Sequence, residues 1–227
     1  MPQQTNTRTT RRWIVLGLIA VVAIAAVIIA VAATARFTSD PAPVPSSSRS
    51  ASQSSEPAYS LPTGCLGGPG RDASMLIAAR EDAPRSSNGA VEVAAAFVRW
   101  LNQYPYPSPD DALAVQEAAL SSDAPAESLV DFFAKEPNLS GGLVPDSTPY
   151  YLSTVAGVYH LESMSDDRAE VTVGASLVKD GAFSPTLKGS ITVVLDWEED
   201  GWKFVSSEGT RSTEELYSIG KPFTEGC

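Results

Sequence analysis

Few side chains in this chain could do chemistry, and their spacing matches no familiar catalytic pattern. The only histidine, His160, follows Tyr159 in a stretch rich in β-branched and aromatic residues. A lone histidine on a strand is more often a structural or edge residue than a proton carrier, so no catalytic role is assigned to it. A serine nucleophile of the hydrolase type needs a Gly-x-Ser-x-Gly elbow to expose its hydroxyl, and that pattern does not occur. Phosphate-loop and dinucleotide-binding glycine patterns do not occur either. The acidic runs Glu198-Glu199-Asp200 and Asp166-Asp167 read as solvated turns rather than calcium ligands. Two cysteines and one histidine cannot complete a zinc site. The expectation is a protein that is not an enzyme, with no catalytic, cofactor-binding or metal site.

The cysteines carry the one covalent possibility. Cys65 opens the region of globular composition and Cys227 is the last residue of the sequence. In an exported domain such a flanking pair reads as a disulfide joining the two ends. Closing so long a loop stabilises by about 5 kcal/mol at most on chain-entropy grounds. Free or intermolecular thiols are the alternative.

Export is implied by how charge is distributed. Residues 1–12 carry Arg8, Arg11 and Arg12 and no acid, and the 23 residues from Trp13 to Ala35 carry no charge at all. All 27 acidic residues lie beyond Arg36, against 12 basic ones, so the chain from Phe37 onward has net charge −15. A domain that acidic is soluble and is repelled by nucleic acid and by anionic head groups, which excludes nucleic acid as a partner.

As a helix, residues 13–35 would reach about 35 Å, enough to cross a bilayer core of about 30 Å with modest tilt. Arginines on the short leading flank put residues 1–12 in the cytoplasm and everything after the span outside, with Trp13 as an interfacial anchor. The rival is a cleaved signal peptide, with Arg11-Arg12 ahead of the apolar run and Ala33-Thr34-Ala35 as the cleavage site. The apolar run is too long for it, since such regions span about 7–15 residues. The partners expected are therefore the lipid bilayer, through residues 13–35, and other envelope proteins or further copies of this chain.

Residues 36–63 are dominated by Ser, Pro and Ala, as in Asp40-Pro-Ala-Pro-Val-Pro-Ser-Ser-Ser-Arg49, and should form a disordered linker. Stretched out, it would hold the domain up to about 85 Å from the membrane. Leu61-Pro-Thr-Gly64 and Pro62-Thr-Gly-Cys65 superficially match sortase and lipobox signals, but each breaks the pattern at one position and lies in the wrong place.

Residues 64–227 form the extracytoplasmic domain. After a short amphipathic piece around Met75–Ala79, the stretch Ala90–Gln103 places Ala94, Phe97, Val98 and Leu101 on one helical stripe, with Asn88-Gly89 as its cap. Ser108, Pro109 and Asp110-Asp111 predict a helix start, running to about Leu120, and a third helix is predicted over Ala126–Lys135. The period then shortens. Tyr150–Glu162, Ala169–Val178, Gly189–Trp197 and Trp202–Ser207 read as strands, the third with Ile191, Val193, Leu195 and Trp197 on one face. Asp200-Gly201 is a strong hairpin signal and Asp180-Gly181 a weaker one. Ser212-Thr-Glu-Glu215 is a capping box for a short helix that Gly220 ends. The fold class expected is α+β: a cone of about three helices packed on one face of a four-stranded antiparallel sheet.

Helices followed by four strands, closing on Leu195-Asp-Trp-Glu-Glu-Asp-Gly-Trp-Lys-Phe204, resemble the nuclear-transport-factor-2-like (cystatin-like) cone over roughly Ala73 to Glu208. With the span and linker, the whole chain is similar to single-pass assembly factors of conjugative type IV secretion systems and to actinobacterial mobile-element membrane proteins. That resemblance implies a scaffold or assembly subunit working by protein contacts. The cone's pocket gives the alternative, an extracytoplasmic ligand-binding or sensory module. Some cone proteins are isomerases or dehydratases, and in a catalytic version His160 with Asp196 or Tyr159 would be the reacting pair.

Protease added to spheroplasts is expected to digest the C-terminal portion and to leave residues 1–35 attached to the membrane with an intact amino end. A mature product starting near Arg36 would contradict the anchor.

Overall fold

The computed structural model describes residues 61–199, 201–207, 209 and 211–227. The expected tail 1–12, transmembrane segment 13–35 and all but the last residues of the linker 36–63 lie outside the described residues. Among the described residues no helix is long and apolar enough to cross a membrane.

Short polar caps decide where the helices begin. Asp72, Ser86, Ser108, Ser128 and Ser212 each sit in extended backbone and accept a hydrogen bond from a first-turn N–H. They start α1 (Ala73–Asp82), α2 (Ser87–Leu101), α3 (Pro109–Ala119), α4 (Leu129–Lys135) and α5 (Thr213–Ile219). Ser108 and Ser212 act as expected. The cap of α2 is Ser86 rather than Asn88-Gly89, with Gly89 N–H donating to its hydroxyl at 3.1 Å. α4 starts at Leu129 rather than Ala126, because Ser128 takes the cap and Gln116 Oε1 accepts from Leu129 N–H at 2.8 Å.

The strands are β1 (Gln103–Tyr104), β2 (Tyr150–Met164), β3 (Arg168–Lys179), β4 (Ala182–Glu198), β5 (Gly201–Ser206) and β6 (Lys221–Pro222). The sheet is antiparallel in the order β1-β2-β3-β4-β5, and β6 also pairs with β2. Three of the four longer strands lie close to where the period-two pattern predicts. β4 starts at Ala182 rather than Gly189, because the turn at Asp180-Gly181 returns the chain at once onto β3, and two very short strands extend the sheet beyond the four expected. Bulges in β2, β3–β4 and β4–β5 interrupt the ladders, and such interruptions bend a sheet.

The β3–β4 and β4–β5 hairpin turns use left-handed backbone. Asp180 (φ 51°) and Gly181 (φ 73°) connect the pair Lys179↔Ala182, the geometry a two-residue turn of this twist demands. Glu198 pairs with Gly201, so the β4–β5 turn falls one residue earlier than Asp200-Gly201, with Glu199 at φ 55°. Gly201 lies in the strand itself, where a Cβ would come 2.9 Å from Arg80 Cζ, so a larger residue there would displace the Arg80 side chain.

The layering differs from the expectation in two ways. α2 is buried from Gly89 to Leu101, on every side rather than along one stripe. Its Val91, Ala94 and Val98 join the sheet residues Val171, Val173, Leu177, Val193 and Leu195 in one core. Its Phe97 and Trp100 join Leu76, Val115, Leu129 and Phe133 from the other helices in a second. Helices also cover both faces of the sheet. α5 packs on the face opposite α2, over Gly174, where a Cβ would come within 2.9 Å of Tyr217 and 3.0 Å of Leu216. The terminal helix can dock there because Leu216 is its single fully buried residue and finds this gap.

Two charges lie inside α2. Glu92 is 8% exposed and accepts from Thr63 Oγ1 at 2.8 Å and from the main-chain N–H groups of Thr63 and Gly64. Arg99, two turns on and fully buried, donates to the carbonyls of Gly64, Gly68 and Gly70. Both ends of the domain converge here. Cys65 and Cys227 are paired with Cα atoms 5.2 Å apart, and Thr154 Oγ1 donates to Gly64 O at 2.7 Å while accepting from Cys227 N–H at 2.9 Å.

Glu92→Gln removes the charge from three hydrogen bonds in a buried place. Urea denaturation is expected to show a loss of about 1.5–3 kcal/mol, and an unchanged midpoint would contradict the clamp.

Candidate functional site

The residues a catalytic cone would use are not brought together. Tyr159 faces the α2 side of the sheet, buried against Phe223 with ring centroids 5.2 Å apart. Its neighbour His160 points to the other face, since side chains alternate along a strand. Thr172 pairs with both His160 and Thr192, whereas Asp196 pairs with Arg168, four residues farther along β4. That offset is about 13 Å along the strand, beyond hydrogen-bonding reach. Arg168 Nη1 binds Asp196 Oδ1 at 3.1 Å, and burial lifts the Asp196 carboxyl above its usual range against that pull. Among the described residues, no three His, Cys, Asp or Glu side chains gather as a metal ligand set.

His160 instead borders a polar cluster on the α5 face. Its Nε2 lies 3.8 Å from Glu162 Oε2. Glu162 accepts from Arg211 through both carboxylate oxygens, each at 2.5 Å, and from Thr172 Oγ1 at 2.6 Å. Thr172 is in turn 2.9 Å from Thr192. The Arg211 hydrogen bonds, helped by Thr172, hold the Glu162 carboxyl down at about 2. Arg211 also pairs with Glu215 of α5. The cluster fastens the segment before α5 to the sheet.

A mostly apolar opening lies on the other face. A cavity of about 430 Å³ is bordered by α2, α4 and the β4–β5 end of the sheet. Phe97 and Leu101 of α2 form one wall, Ile191 and Phe204 of the strands a second, and Leu129 and Phe132 of α4 a third. Phe97 and Phe204 stack at 3.9 Å with their planes 8° apart, which fixes two of those walls together. Asn102, Glu127, Ser206 and Ser207 are the polar side chains that reach it.

The segment after α3 forms the rim and is held at both ends. Ser121 N–H donates to Phe204 O at 2.8 Å, and Glu198 accepts from Ser121 Oγ and, at 3.0 Å, from Ser122 N–H. Those hydrogen bonds, Ser121 first, keep the Glu198 carboxyl below its usual range. Lys203 stands 3.4 Å from it. The acidic run expected to be a plain solvated turn thus supplies, through Glu198, the anchor of the cavity rim. At the other end Glu127 is paired with Lys135.

The resemblance implied a pocket but not its lining, because ordinary core residues from α2, α4, β4 and β5, with the loops between them, form it. The visible signal was Asn102, a polar residue directly after the most apolar helix. No protein-family model, curated protein or solved structure matches the chain.

Glu162 supplies a pH test. Its folded-state value is depressed, so its contribution is complete above the ordinary glutamate range near 4.5 and is lost as pH falls towards about 2. Unfolding free energy measured across that window is expected to fall in the wild type, and Glu162→Gln should flatten that part of the profile. An identical pH slope in both proteins would contradict the assignment.

Proposed function

We propose that this chain is a non-enzymatic, membrane-anchored binding module that holds an apolar molecule outside the cytoplasm. In this reading residues 13–35 cross the bilayer from a cytoplasmic tail 1–12, residues 36–63 act as a linker, and residues 64–227 carry the binding cavity. The observation that carries the reading is the cavity itself: about 430 Å³, walled by phenylalanine and aliphatic side chains and open at a rim anchored by Glu198. That volume lies within the range of small-molecule sites, which are mostly apolar with a few placed polar groups. A nuclear-transport-factor-2-like cone fits the helix-then-sheet order and the space enclosed between the two layers. The paired Cys65 and Cys227 fit an oxidising compartment.

Assembly of an envelope complex, as in conjugation or secretion, is the second reading. It is favoured by the stretch of β4 around Phe183 and Leu187, which are 41% and 39% exposed. Among the described residues that stretch pairs only with β3. Crosslinking from position 187 in intact cells should capture an envelope protein, or a further copy of this chain, if the second reading holds.

Ala124→Trp would fill the cavity from the rim. Native mass spectrometry of the full chain is expected to detect a co-purifying apolar molecule with the wild type and none with the variant, at similar thermal stability. An empty wild-type protein that also takes up no added apolar compound would contradict the reading.

A further inference from the structure

One polar side chain at the cavity is not consumed by the fold. Asn102 follows α2 and is only 4% exposed. Its Nδ2 donates to Val98 O at 3.0 Å, and its main-chain N–H donates to the same carbonyl at 3.1 Å. Its main-chain carbonyl accepts from Leu152 N–H at 2.9 Å. Because Nδ2 must face Val98 O, the amide cannot turn over, and Oδ1 is directed away from that carbonyl. Oδ1 accepts no hydrogen bond among the described residues, and Asn102 lines the cavity. Oδ1 is not sealed off from the opening, so water can bond it there, and an occupant that displaces that water binds well only if it brings a donor of its own.

The rest of the lining defines what that occupant is. No lysine or arginine lines the cavity, and the single acid, Glu127, is already paired with Lys135. An anionic ligand would therefore find no positive counter-charge in a domain of strongly negative charge, and a cationic one no free negative one. The stacked Phe97 and Phe204 rings, with Phe132 nearby, offer aromatic surface to a flat apolar body.

We propose that the cavity takes an uncharged, largely aromatic or alicyclic molecule carrying a hydrogen-bond donor, a hydroxyl or an N–H, that Asn102 Oδ1 receives. The proposal rests on the binding reading above and adds to it the chemical class of the ligand and the residue that selects it.

The test uses the full chain in lipid nanodiscs, with protein-free nanodiscs as the blank. The probes are a hydroxyphenanthrene, its methyl ether and the matching phenanthrene carboxylate, titrated by their own fluorescence. The hydroxy compound is expected to bind about tenfold more tightly than the ether, which keeps the oxygen but lacks the donor. The carboxylate should bind more weakly than either. Asn102→Ala should erase the difference between hydroxy compound and ether while leaving ether binding in place. Should that variant fail to fold, the wild-type comparison decides. Equal wild-type affinity for hydroxy compound and ether, or preference for the carboxylate, overturns the assignment of Asn102 and leaves the cavity as a binding site. No binding by any of the three overturns the binding reading as well.

Discussion

Burying two opposite charges inside the central helix is the constraint on which the rest of this domain depends. Glu92 and Arg99 sit seven residues apart on α2, where an unpaired charge would cost several kcal/mol. They do not neutralise each other directly. The loop from Thr63 to Gly70 runs between them, giving N–H groups to the carboxylate and carbonyls to the guanidinium. Burial pulls the Arg99 guanidinium below its usual range, with Glu92 opposing that pull. Arg71, which donates to Arg99 O and Leu152 O, is brought to about 10 by its own burial and by the nearby Arg99 charge. The leading loop is thus as much a part of the core as the helix it wraps.

That arrangement ties together places far apart in sequence. Gly226 N–H donates to Thr63 O at 2.7 Å, Thr224 N–H to Pro62 O at 3.1 Å, and Cys65 meets Cys227. The first described residues and the last therefore meet at one point beside α2 and β2. With α2 held there, its far end places Phe97, Leu101 and Asn102 opposite Phe204, and the short α4 leaves space between them. Unfilled apolar volume destabilises a core. Here the surrounding elements are anchored, by the Phe97–Phe204 stack on one side and the Ser121–Glu198 tie on the other.

Much of the framework was legible in the sequence because it rests on local rules. Ser108 with Pro109, the Ser212 capping box and the alternating strands each act over a few residues, and each appears where expected. Features decided by packing at a distance were not legible. Nothing near Leu216 reveals that α5 lies on the opposite face, since that depends on the gap over Gly174 in β3. The turn at Glu199 falls one residue earlier than Asp200-Gly201, a matter of strand register, with Glu198 paired to Gly201. Glu92 and Arg99 are covered by the leading loop, which has no regular structure and whose course no local pattern announces. His160, Tyr159 and Asp196 share a sheet, but strand alternation and register keep them apart.

The central claim is that the space between α2, α4 and β5 is a real apolar cavity with fixed walls. Diffraction from crystals pressurised with xenon tests it directly, because polarisable gas enters dry apolar cavities and ignores packed cores. The account predicts xenon density among Phe97, Leu129, Ile191 and Phe204, with those side chains unmoved. Density only elsewhere, with Phe132 collapsed against Phe204, would contradict it.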